Sequence, residues 1–169
     1  GESLSGVKFK TGDIMYDFSV VTPGGETVTL SQMLEEKDMV LVNFWYTTCS
    51  WCVKEFPYMD AVYQQYKDKI EIVALNHSTL KGDSEEGIKA FKDRFYDDYV
   101  GEGATGGLSF PMAKDYTNMG PAFNLQGYPT SVLVDRYGVI CMIEAGGIVS
   151  EAPFVAMFQH FTAENYEQK

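Results

Sequence analysis

Val40-Leu41-Val42-Asn43-Phe44-Trp45-Tyr46-Thr47-Thr48-Cys49-Ser50-Trp51-Cys52-Val53-Lys54-Glu55-Phe56-Pro57 is the stretch on which the reading of this chain turns. The continuous apolar run from Met39 to Tyr46 predicts a strand buried on both faces. It leads directly into two cysteines separated by two residues, and then into an amphipathic helix. Cys49 therefore stands at a helix N-terminus. Unpaired backbone N–H groups and the positive end of the helix dipole favour a thiolate there, lowering a cysteine pKa by one to several units from about 8.5. Cys49 is the candidate nucleophile. Cys52, one turn on and more sheltered, is the candidate resolving thiol.

Other chemistry uses the same spacing. A C-x-x-C pair can be half of a zinc site, but zinc takes about four ligands. The chain offers only Cys141, His77 and His160 besides, none of them paired at ligand spacing. A buried structural disulfide is the second alternative. A dithiol that follows a buried strand and opens a helix favours redox chemistry over both, with no metal and no cofactor expected.

Composition bounds the rest. A chain of 169 residues that is 45% apolar and 14% aromatic suits one globular domain with a sizeable core. Its formal net charge of −11 argues against nucleic-acid or anionic-membrane surfaces, which would be repelled. No run of about 18 apolar residues predicts a membrane-spanning helix, and no signal peptide opens the chain. Residues 1–12 read as a flexible tether left after a targeting segment was trimmed, and residues 13–169 as the domain. Three cysteines do not make a disulfide scaffold, so their number leaves the compartment open.

Along the chain, Ile14 to Val21 predicts a strand, Thr22-Pro23-Gly24-Gly25 a turn, and Glu26 to Leu30 the returning strand of a hairpin. Ser31 is the expected cap of a short helix ending near Lys37. From Ser50 to about Lys67, Val53, Phe56, Met59, Val62, Tyr63 and Tyr66 recur at helical spacing, with Pro57 expected to kink the helix. Ile70 to Asn76 reads as a second β strand. Strand, helix, strand in this order requires a right-handed crossover and a parallel pair, which brings His77 to the same sheet edge as Cys49. His77 is expected to be an ordinary strand-end histidine rather than a base.

Asp83 or Ser84 can cap a helix running to about Phe95. Asp97 to Ser109, with Gly101, Gly103, Gly106 and Gly107, predicts a mobile loop. Phe110 to Ala113 is strand-like, and Asn118 to Leu125 predicts a short helix. Thr130 to Val134 and Val139 to Ala145 form a hairpin about Asp135-Arg136-Tyr137-Gly138. Ser150 is the expected cap of a last helix to about Tyr166. No internal repeat or low-complexity segment interrupts this order. It predicts an α/β domain with a central mixed sheet and helices on both faces.

Taken together, Phe44-Trp45, Cys49-x-x-Cys52 and Pro57, followed by Gly127-Tyr128-Pro129-Thr130 and Asp135-x-x-Gly138, resemble the thioredoxin superfamily. With Asn43, Glu55 and the preceding hairpin in place, the chain is most similar to the TlpA/ResA-like branch of extracytoplasmic thiol-disulfide oxidoreductases. The resemblance spans about residues 13–165. It implies a thioredoxin-like fold with an N-terminal β-hairpin. It implies that Pro129 is cis and lies against the dithiol, leaving the backbone of Tyr128 to pair with an extended substrate segment.

The resemblance further implies that Glu55 accepts the proton of Cys52. Asn43 stands where thioredoxins proper carry a buried aspartate, which shifts the proton-transfer role to Glu55. Trp51, inside the C-x-x-C, is either an exposed stacking surface for partners or a lid packed over the dithiol. The activity implied is reduction of disulfides in extracytoplasmic partner proteins by a monomer, recharged by a membrane thiol-disulfide electron carrier. Relatives serve cytochrome c haem-site cysteines and surface methionine sulfoxide reductases. Cys141 is expected to be a small buried residue, with regulatory disulfide chemistry as the alternative.

Two competing readings remain. A peroxiredoxin would need a proline seven residues and a threonine three residues before its cysteine, where Val42 and Tyr46 stand. A redox-inactive docking module with this fold would need neither cysteine.

Overall fold

The protein's structure, a computed structural model, describes residues 8–76 and 83–161. Two antiparallel strands, β1 (Ser19–Val21) and β2 (Thr27–Thr29), form the N-terminal hairpin. Helix α1 (Leu30–Glu36) follows, then the buried strand β3 (Met39–Trp45) and helix α2 (Ser50–Tyr66), which is continuous through Pro57. Strand β4 (Ile70–Asn76), helix α3 (Glu85–Asp93), strand β5 (Met112–Lys114) and helix α4 (Met119–Ala122) come next. Strands β6 (Thr130–Asp135) and β7 (Ile140–Ala145) and helix α5 (Ala152–His160) complete the described chain.

The central sheet has the order β5-β4-β3-β6-β7. β3 runs parallel to β4 and antiparallel to β6, and β7 returns antiparallel to β6. Every residue of β3 is buried because both faces are covered. Met39, Leu41 and Trp45 belong to the core shared with α2, α3 and α5, whereas Val40, Val42 and Phe44 belong to the core shared with α1, α4 and the hairpin. This period-two alternation puts Asn43 on the α2 side, level with Ser131 across the strand pair. Phe56 anchors α2 there, with ring centroids 5.5 Å from Trp45, 5.6 Å from Phe110 and 6.0 Å from both Phe91 and Phe95. Such edge-to-face pairs each add roughly 0.5–1.5 kcal/mol beyond area burial.

Several local readings need correction. Ser31 does not cap α1: its N–H and hydroxyl both donate to Asp17, at 2.9 and 2.8 Å, so a carboxylate from outside the helix supplies the acceptor. Ser150 does not cap α5, whose N-cap is Glu151, with Pro153 in the first turn. Its expected end at Tyr166 lies outside the described residues. Ser84 does cap α3, accepting from the Gly87 N–H at 3.0 Å. Within the stretch read as a tether, Phe9 is buried, packs on Phe123 and Tyr16, and donates its N–H to Ala122.

The Gly-rich segment is not an open loop. It begins with a π-helical turn, Tyr96–Val100, and is tied to α2 by Asp60, which is fully buried. The Asp60 carboxyl accepts from the Tyr96 hydroxyl at 2.7 Å, from the Ser109 N–H at 2.8 Å and from Gln64 at 3.4 Å. Desolvation together with the hydrogen bond to Asp60 pushes the Tyr96 phenol pKa well up. Substituting Asp60→Ala orphans these donors, and a loss of about 2 kcal/mol in unfolding free energy is expected. Urea titration gives the change, and amide exchange at residues 96–109 shows whether it is concentrated there.

Candidate active site

The sheet topology gathers the site. β3 and β4 run in register to Trp45 and Asn76, so their C-terminal ends share one edge. β6 is antiparallel to β3, so its beginning, next to Pro129, reaches that edge too. β7 ends opposite it, Thr130 facing Ala145, and delivers Gly146, Gly147 and Ile148. His77, expected beside them, lies outside the described residues.

Cys49 and Cys52 are joined in a disulfide, with Cα atoms 5.2 Å apart. Cys49 is the N-cap of α2, and its sulfur accepts from the Cys52 N–H at 3.2 Å, as the helix-start argument requires. Both sulfur-bearing residues are sheltered, Cys49 at 4% exposure and Cys52 at 0%. Exposure at this edge belongs instead to Trp51, at 52%. The Trp51 ring carries Lys54 Nζ 4.5 Å from its centroid. Trp51 also packs: a Cβ built on Gly147 would stand 3.2 Å from both the ring and the Trp51 carbonyl. Trp51 is thus half-exposed and packed on one side against Gly147, the neighbour that admits it.

Glu55 is fully buried on the α2 face that carries Cys52, Phe56 and Met59. Asn43 Nδ2 donates to one of its oxygens at 2.8 Å, and the Ile148 N–H donates to the other at 2.7 Å. Asn43 also donates to Ser131 at 3.3 Å, so it is both a packed residue and the group that aims Glu55. Burial raises the Glu55 pKa to about 7, against the lowering effect of the Ile148 and Asn43 hydrogen bonds. A carboxyl titrating near neutrality inside a protein, on the turn after a dithiol, can hold or release a proton at the operating pH.

The Tyr128–Pro129 peptide bond is cis. The Pro129 carbonyl accepts from the Gly146 N–H at 2.8 Å, which ties this loop to the end of β7. Tyr128 packs edge-on against Tyr46, with centroids 5.3 Å apart. Its phenol is pushed up to about 12, chiefly by burial and then by the charge of Asp115.

Sequence reasoning missed Asp83. Its carboxylate accepts from the Thr47 N–H, the Thr47 hydroxyl and Asn76 Nδ2. It also missed the Gly147–Ile148 turn, because only the sheet topology brings that turn to Glu55. Cys141 is half-buried on β7, where its thiol donates to the Val139 carbonyl at 3.5 Å. His160 lies near the end of α5, its ring edge-on to Phe161. Among the described residues no group of three or more metal-ligating side chains comes together.

The Redoxin family model matches residues 10–155. The chain belongs to the Redoxin family. It is 34% identical over 140 residues to the thioredoxin-like protein YneN of Bacillus subtilis strain 168, covering 83% of this chain and 74% of that protein. It is 29% identical over 144 residues to the thiol-disulfide oxidoreductase ResA of Halalkalibacterium halodurans, covering 84% and 72%. The thioredoxin domain of a thiol-disulfide oxidoreductase from Bacteroides vulgatus superposes with a TM-score of 0.66 at 22% identity, covering 89% of this chain and 99% of that one, which speaks for the fold. The chain is thus a ResA-like thiol-disulfide oxidoreductase of the thioredoxin superfamily.

Proposed function

We propose that the protein reduces disulfides in extracytoplasmic partner proteins through Cys49 and Cys52, with Glu55 as the proton acceptor for Cys52. In the reduced protein the Cys49 thiolate attacks one sulfur of the substrate disulfide. The substrate S–S bond breaks, a mixed disulfide forms, and one substrate thiolate leaves. Cys52 then gives its proton to Glu55 and attacks the Cys49 sulfur, which expels the second substrate thiolate and leaves the Cys49–Cys52 disulfide. Two electrons pass to the substrate. A membrane thiol-disulfide carrier returns them by the reverse exchange. Trp51, Tyr128 and Pro129 frame the dithiol and are the residues against which a substrate segment lies.

The observation that carries this reading is the buried Glu55 carboxyl, held by Asn43 and Ile148 on the helix face of Cys52. A scaffold that only docks partners has no use for it, whereas a resolving thiol needs a proton acceptor. The test is insulin disulfide reduction by the reduced protein, compared with Cys49→Ser. Wild type is expected to be at least a thousandfold faster, and a wild type no faster than the variant would replace catalysis by docking.

A further inference from the structure

The turn that delivers Cys49 is held by a side chain that the exchange chemistry does not use. Asp83 precedes the cap of α3, yet its carboxylate reaches across to the turn that follows β3 and to the last residue of β4. Oδ2 accepts from the Thr47 N–H at 2.7 Å and from Asn76 Nδ2 at 2.7 Å, and Oδ1 accepts from the Thr47 hydroxyl at 2.6 Å. Asn76 is the last residue of β4, in register with Trp45 at the end of β3. Thr47 lies two residues before Cys49, and the Cys49 N–H closes the same turn on the Tyr46 carbonyl at 3.2 Å. One half-buried carboxylate thus ties two strand ends and the approach to the nucleophile. α3 does not need it as a cap, since Ser84 already fills that place.

We infer that Asp83 is a positioning residue for thiol-disulfide exchange: it fixes the turn that presents Cys49, and its negative charge beside that turn makes the protein a stronger reductant. The inference rests on Cys49 being the attacking thiol. Hydrogen bonds to an ionised acceptor are short and about twice as strong as neutral ones, so a bidentate grip on Thr47 restricts the turn more than a hydroxyl or amide would. The charge acts on the sulfur as well. The dipole of α2 stabilises a Cys49 thiolate, and a carboxylate fixed on Thr47, two residues before Cys49, opposes it. A less stable thiolate means a less stable reduced form, hence greater readiness to hand electrons on.

The test measures Asp83→Asn, Asp83→Ser, Asp83→Glu and Thr47→Val beside wild type and Cys49→Ser. The first readout is the glutathione ratio at which half the protein is reduced at pH 7. The second is kcat/KM for insulin reduction, with thermal unfolding to report folding. Asp83→Asn and Asp83→Ser are expected to become half-reduced at a ratio of reduced to oxidised glutathione roughly threefold to tenfold lower, the range a lost unit charge gives across a protein surface. Asp83→Glu keeps the charge and is expected to stay within twofold of wild type in that ratio while losing turnover. Thr47→Val loses the hydroxyl but not the charge, and is expected to lower kcat/KM without moving the ratio.

A folded Asp83→Asn or Asp83→Ser with the wild-type ratio overturns the electrostatic half. A Thr47→Val with wild-type kcat/KM overturns the positional half. If Cys49→Ser turns over as fast as wild type, the assignment of the nucleophile fails instead, and the two failures are distinguishable.

Discussion

Cys52→Ser protein mixed with a disulfide substrate is expected to stop at the mixed disulfide. Turnover should fall at least a thousandfold, and a species with the mass of protein plus substrate should accumulate within the first turnover. The reason is geometric. Cys49 caps α2 and keeps its helix-terminus environment when Cys52 is changed, so the first attack proceeds. The second needs a sulfur that can reach Cys49, and Cys52 has its Cα 5.2 Å away on the next turn, bonded to it in this structure. Cys141, the other cysteine, sits on β7 with its thiol directed to the Val139 carbonyl. Cys49→Ser should give no adduct at all. Intact-mass measurement on quenched samples separates the two variants, and an adduct formed by Cys49→Ser but not by Cys52→Ser would reverse the order of attack.

Strands β3 and β4 and the dithiol at the start of α2 were legible because each rests on local chemistry. An all-apolar run buries on both faces, and a cysteine pair after it meets a helix dipole. Glu55 was legible only through the family resemblance, which places an acid three residues beyond Cys52; that it is buried on the face of Cys52, Phe56 and Met59 is seen only in the structure. Asp60 shares that face, but a carboxylate at a core position reads as an error until Tyr96 and Ser109 are seen to come to it. For the same reason the Gly-rich segment reads as a mobile loop from composition, whereas its anchor lies 36 residues away from Tyr96 in sequence.

Asp83 and Ile148 reach the site only because β3, β4 and β7 end, and β6 begins, at one edge. Strand register, not local propensity, places them. The missed caps follow the same logic. Ser31 is well placed to cap α1 by its own hydroxyl, but Asp17, brought up by the hairpin, offers a charged acceptor and takes that hydroxyl as a donor.

Glu55→Gln should uncouple two pH dependences that wild type carries together. Burial raises the Glu55 pKa to about 7 from the ordinary glutamate value of 4.5 that the unfolded chain has. The folded state therefore binds the proton more tightly than the unfolded chain. Stability is greatest below the unfolded pKa and falls as pH rises toward 7, where the folded protein must ionise a buried carboxyl. On the order of 3 kcal/mol of this stability is lost between roughly pH 4.5 and 7. In the proposed mechanism catalysis runs the other way, because only the ionised form of Glu55 can take the Cys52 proton. Resolution of the mixed disulfide should accelerate through pH 7 as Glu55 ionises, and its loss should slow that step about a hundredfold.

Glutamine keeps the shape of the site. Its carbonyl can still accept from the Ile148 N–H. Asn43 Oδ1, which has no hydrogen-bond partner among the described residues, can turn to accept from the new amide. Urea unfolding of the oxidised proteins from pH 5 to 8 checks the first expectation, through the difference between wild type and variant so that other titrations cancel. Single-turnover release of the second substrate thiol over the same range checks the second. A difference in stability that stays flat with pH would place the Glu55 pKa near its unfolded value. Equal release rates in the two proteins would leave Cys52 deprotonated by some other group.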